Sequence, residues 1–203
     1  MLKHYYGDYT LTFYSDIIVL LSATLIISSY VLSPLKVHTR LSLITPDITA
    51  LYLVLVSKNL TIGLGQDLTE GTFITFLQMR GKRAVFFVFI LINVILPYVF
   101  FILLSLLVFY LSNFFSSIVY TDFTSYYIYS TGGNLVLTLL LKRPLRSFFI
   151  GNLLNVSVVF MSLTQYHVPV STLLGLSFYG ISYVLFLRMQ LWGSQKSCYL
   201  PGY

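Results

Sequence analysis

The residues of this chain able to do chemistry gather in one place. Between two long apolar stretches lies Gln66–Arg83, QDLTEGTFITFLQMRGKR, with Asp67, Glu70, Arg80, Lys82 and Arg83. Five of the 18 charged residues (12 Lys+Arg and 6 Asp+Glu) fall there. Asp67 suits a helix N-cap, and Glu70 three residues on can reach back to it as in a capping box. The two acids stand at the positive end of that helix dipole and Arg80 near the negative end. Glu70, Phe73, Ile74 and Leu77 share one helical face, with Phe76 and Arg80 beside it, and Gly81 offers the stop. The pattern predicts a short amphipathic helix at a membrane surface, either a plain connector or a docking element.

Catalytic arrangements are missing. The chain has no Ser/His/Asp set, no paired carboxylates and no metal-ligand cluster, and His167 beside Pro169 has no second ligand in view. Cys198 is the single cysteine, which excludes an intramolecular disulfide or a thiolate cluster. A phosphate-cradling loop needs Gly, four residues, then Gly-Lys-Ser/Thr. Gly81-Lys82 is followed by Arg83, and Phe76 stands where the first glycine belongs. Gly63-Leu64-Gly65 reads as helix termination. The chain is therefore read as a non-enzyme that binds no cofactor of its own.

The elements that position the polar island are apolar. The 203 residues are 57% hydrophobic and 9% charged, with mean hydropathy +0.86, against roughly 25% charged in soluble domains. This predicts an all-α integral membrane protein with six spans in a single domain, 1–203. Residues 1–15, rich in Tyr and Phe, read as an interfacial segment or a frayed anchor, and the first apolar run as a retained span rather than a cleaved signal. The expected spans are Ile17–Leu32, Leu43–Leu64, Ala84–Leu111, Tyr126–Leu141, Ser147–Thr164 and Val170–Leu187. Ser112–Ser125 reads as a polar aromatic loop, Lys142–Arg146 as a basic turn, Gln165–Pro169 as a tight turn and 188–203 as a tail. Pro97 predicts a kink at the carbonyl of Asn93.

Six spans put both termini on one side. Lys3, Arg80, Lys82, Arg83, Lys142, Arg143, Arg146, Arg188 and Lys196 share that side, against Lys36 and Arg40 opposite. Nine against two assigns the termini and the polar helix to the cytoplasm of a cell membrane. The net charge of +6 is explained this way rather than by nucleic acid. Within the spans, Lys58, Asn93, Asn134, Asn152 and Asn155 are candidate pathway residues; snorkelling for Lys58 and interhelical hydrogen bonding for the asparagines are the competing readings. Gly132-Gly133 and Gly151 permit close helix approach, within the chain or in a dimer.

At Asp67, Glu70, Gly71-Thr72, Phe73, Phe76-Leu77, Arg80, Lys82 and Arg83 the sequence resembles the permease subunits of type 2 ABC exporters, although Met79-Arg80-Gly81 stands where that family carries a proline. The resemblance covers most of the chain in outline and about eighteen residues in motif. It implies that 66–83 is a coupling helix between spans 2 and 3. Asp67, Glu70, Gly71, Thr72, Phe73, Phe76, Leu77 and Arg80 would then contact a separate ABC-type ATPase, which binds the ATP and Mg. It also implies a dimer, with itself or a related permease, around a substrate pathway. A reading from another class is a non-transporting scaffold subunit of a respiratory or secretion complex, which 17 Tyr and 17 Phe also suit.

Overall fold

Gly132 and Gly175 bring two helices into backbone contact. A Cβ on Gly175 would stand 2.7 Å from the Ile128 carbonyl carbon and the Tyr129 nitrogen, and one on Gly132 would stand 2.8 Å from the Gly175 oxygen. These helices form the tightest pair in a computed structural model that describes residues 53–54, 56–65, 68, 80–111, 117–161 and 167–189. All but a few of the described residues are helical, with no strand among them. We label the helices α1 (53–54 and 56–65), α2 (82–111), α3 (Ser117–Leu141), α4 (Pro144–Met161) and α5 (His167–Arg188).

The contacts fix the directions. Residues 128–132 of α3 meet 175–179 of α5, low numbers with low, so the two run parallel. Asn134 faces Gly151 and Tyr129 faces Ser157, so α4 runs antiparallel to α3. Leu53 lies by Asn155 and Gly65 by Pro144, which makes α1 antiparallel to α4. α2 opposes α3 and α5: Phe86 packs on Phe186 with ring centroids 5.2 Å apart, and Phe101 stacks on Phe123 at 4.3 Å.

Two of these helices, over Lys82–Leu103 and Val168–Arg188, are long and apolar enough to cross a membrane. α4 has an inverted surface. Its inward side is small and polar, with Ser147, Gly151 and Asn155 buried, while Leu145, Phe149, Leu153, Val156 and Phe160 face outward. Phe149 is 67% exposed and Leu153 73%. On α5, Leu173, Leu176 and Ile181 likewise face out, while Ser171, Gly175 and Ser182 are buried.

Several boundaries differ from the sequence reading. Residues 117–125, expected in a loop, are the first turns of α3. Two of their hydroxyls are satisfied within the helix and against α2: Thr124 donates to the Tyr120 carbonyl at 2.6 Å, Ser125 donates to the Asp122 carbonyl at 2.9 Å, and Tyr98 bonds Thr124 at 2.7 Å. The basic turn shrinks to Lys142-Arg143, because Pro144 is pre-set for the first helical position of α4. His167 to Pro169 belong to the first turn of α5, where a proline costs no hydrogen bond. α2 begins at Lys82, immediately after Gly81.

Pro97 is accommodated by a π-helical turn over Leu91–Ile95 just before it. The wider turn absorbs the hydrogen bond that the proline lacks, and side chains serve local carbonyls: Asn93 Nδ2 donates to Phe89 O at 3.1 Å and Tyr127 OH to Val94 O at 2.8 Å. A second π turn, Asn59–Gly63, lies in α1 against α4.

Candidate functional site: a buried amide cluster and a basic end

Three of the five candidate pathway residues come together. Asn134 of α3 and Asn152 and Asn155 of α4 meet beside Ser130 of α3 and Ser57 of α1. Asn134 and Asn155 are fully buried and Asn152 partly. Asn134 Nδ2 donates to Ser130 O at 2.9 Å, to Ser130 Oγ at 3.3 Å and to Asn155 Oδ1 at 3.1 Å. Ser130 Oγ also donates to Asn155 Oδ1. Asn155 passes the direction on, its Nδ2 donating to Leu53 O at 3.2 Å and Asn152 Oδ1 at 3.4 Å, and Ser57 Oγ donates to Asn152 Oδ1 at 3.1 Å. Asn134 donates from α3 to α4, Asn155 donates from α4 to α1, and Ser57 donates back from α1 to α4, so the orientation of the amides in Asn134 and Asn155 is fixed by their partners.

Asn134 Oδ1 has no hydrogen-bond donor and points at the Cα of Gly151, where a Cβ would stand only 1.8 Å away. Only a glycine at 151 leaves room for the amide oxygen. Nothing in the cluster is ionisable. It can hold helices in register, or offer amide oxygens and nitrogens to a neutral polar group. It cannot move protons by acid–base chemistry.

The other two candidates lie apart. Asn93 sits in the π turn of α2 and serves its own helix. Lys58 is exposed on α1, although its neighbour Ser57 enters the cluster. Sequence reasoning missed Ser57 and Ser130, since a serine in an apolar run usually bonds its own preceding turn. The serine spacing gave no sign that these two reach across helices.

The second feature is one end of the bundle. Gly65 at the end of α1, the start of α2, the α3–α4 turn and the end of α5 all lie there. With them come Arg80, Lys82, Arg83, Lys142, Arg143, Arg146 and Arg188. Asp122, the one carboxylate among the described residues, is 20 residues back along α3, about 30 Å away. Lys3, Lys36, Arg40 and Lys196 lie outside the described residues.

At this end Lys82 Nζ donates to Leu187 O at 3.0 Å and Met189 O at 2.8 Å, so its charge meets the negative end of the α5 dipole. Gly81, with φ 76° and ψ 155°, occupies a region open essentially to glycine alone and separates helical Arg80 from α2. Of the expected ATPase contacts, Arg80 is exposed here, while Asp67, Glu70, Gly71, Thr72, Phe73, Phe76 and Leu77 lie outside the described residues. Leu68 packs against the core. Comparison of the chain with family models, curated proteins and solved structures gives no match.

Proposed function

We propose that this chain is a six-span integral membrane subunit, and that it serves as the permease of an ATP-driven ABC exporter. The inverted surface of α4 carries the membrane part of this reading. A helix that buries Ser147, Gly151 and Asn155 while exposing Leu145, Phe149 and Leu153 suits a solvent of hydrocarbon and would aggregate in water. The basic end then faces the cytoplasm of a cell membrane, together with both termini.

The exporter part rests on the resemblance at Asp67–Arg83 and is supported by where its flanks lie. α1 ends and α2 begins at the basic end, the side on which a cytoplasmic ATPase would bind. Two such chains, or this chain and a related permease, would form the pathway, with ATP and Mg on the partner. Closure of the ATPase would pull on α2 through Gly81. Lys82 would pass that pull to α5.

One observation favours the scaffold reading. The amide cluster is closed and largely hydrogen-bonded within one chain, as expected of static helix packing. Purification from native membranes separates the two. Under the exporter reading an ABC-type ATPase accompanies the chain in equal amounts, and Glu70→Ala with Phe73→Ala abolishes chain-stimulated ATP hydrolysis without affecting membrane insertion. Unchanged stimulation refutes the coupling role, and co-purifying redox or secretion subunits establish the scaffold.

A further inference from the structure

The α3–α4 turn combines a cation cluster with an outward apolar stripe. Lys142, Arg143 and Arg146 are all exposed, and no carboxylate stands near them among the described residues. Directly along α4 from Arg146 lie Phe149 and Ile150, three and four residues on, then Leu153. All three face outward. Lys142 adds a second observation. Its φ of 52° is left-handed, and its N–H closes α3 by donating to Thr138 O at 3.0 Å. Glycine is the residue suited to that helix-ending position, and a lysine there carries strain. The turn thus carries a cation at a backbone position that disfavours a side chain.

We infer that this turn binds an anionic phospholipid, its phosphate among Lys142, Arg143 and Arg146 and its acyl chains along Phe149, Ile150 and Leu153. Charge complementarity selects the headgroup, and the stripe below selects a lipid over a free anion. The first turn of α4 adds the positive end of its dipole to the same spot. This site rests on the membrane placement proposed above, and it is independent of the exporter reading.

The test is native mass spectrometry of the full chain in mild detergent with equal phosphatidylglycerol and phosphatidylcholine. Wild type is expected to retain phosphatidylglycerol preferentially. Each cation in direct contact with the headgroup contributes a factor of about five, so Lys142→Gln, Arg143→Gln and Arg146→Gln together reduce that retention about a hundredfold. The matched variant Arg80→Gln, Arg83→Gln, Arg188→Gln changes it less than about fivefold. Lys142→Gly separates binding from folding, since it relieves the backbone strain yet is expected to lose about fivefold in retention. Equal retention of both lipids overturns the site while leaving the membrane placement intact. Equal loss in the matched variant also overturns it, as does full competition by glycerol phosphate, which would mark a free-anion site. A chain that stays monodisperse without detergent overturns the membrane placement itself.

Discussion

Replacing Gly151 with alanine strikes the amide cluster at its tightest point. The new methyl would stand 1.8 Å from Asn134 Oδ1 and 3.0 Å from its Cγ, with the next contact, Thr61 Cγ2, at an ordinary 3.6 Å. Asn134 must swing away and surrender its donations to Ser130 and Asn155. Overpacking costs about 1–3 kcal/mol. Three interhelical or local hydrogen bonds add about 0.6 kcal/mol each in a membrane setting. The expected loss is therefore about 3–5 kcal/mol. Asn134→Ala alone forfeits the same bonds, about 2 kcal/mol, without the clash. In the double variant the alanine methyl occupies space the amide has left, so the combined loss stays near about 2 kcal/mol rather than the sum. Unfolding in mixed micelles of denaturing and mild detergent, followed by far-ultraviolet circular dichroism, completes the cycle. Additive losses would refute the direct contact between Gly151 and Asn134.

Gly175→Ala meets backbone atoms that no side-chain deletion can move, so it should cost about 2 kcal/mol or more and resist rescue by any partner substitution. Gly180→Ala on the same helix meets nothing within 4 Å and should instead raise stability by up to about 1 kcal/mol, read as an upward shift in Tm. Lys82→Met removes two charge-assisted bonds to the end of α5, about 1.5–3 kcal/mol for each such bond at full strength and less for this half-buried group. Hydrogen exchange near residues 186–189 should quicken in Lys82→Met and recover partly in Lys82→Arg, while equal protection in all three would remove the tie.

Residue type alone disclosed some of this arrangement. Asn134, Asn152 and Asn155 stood out because an amide in an apolar run needs a partner, and the glycines at 132, 133 and 151 predicted close approach. The pairing itself was illegible. Ser57 meets Asn152 across 95 residues and Asn155 meets Leu53 across 102, and no local pattern sets the rotation of one helix against another. The start of α3 departs from its hydropathy pattern for a related reason. Thr124 and Ser125 look like loop residues by polarity, yet each spends its hydroxyl on a carbonyl of its own turn, which a hydropathy average does not register. Pro97 did mark an irregularity, but the chain resolves it with a widened turn upstream of the proline.

The two-residue turn between α3 and α4 has a consequence for how the chain is made. α4 carries Asn152 and Asn155, which hydrocarbon tolerates poorly without partners. One set of partners, Ser130 and Asn134, is synthesised just before α4 and is tethered to it by Lys142-Arg143 alone. The other, Leu53 O and Ser57, left the ribosome roughly a hundred residues earlier. α3 and α4 would then enter the bilayer as one hairpin, with its charged apex held back at the face from which it enters. α1 would wait, its exposed register completed only when that hairpin arrives. Lengthening the apex would uncouple the two helices at the moment of entry, well before any property of the finished chain could be assayed.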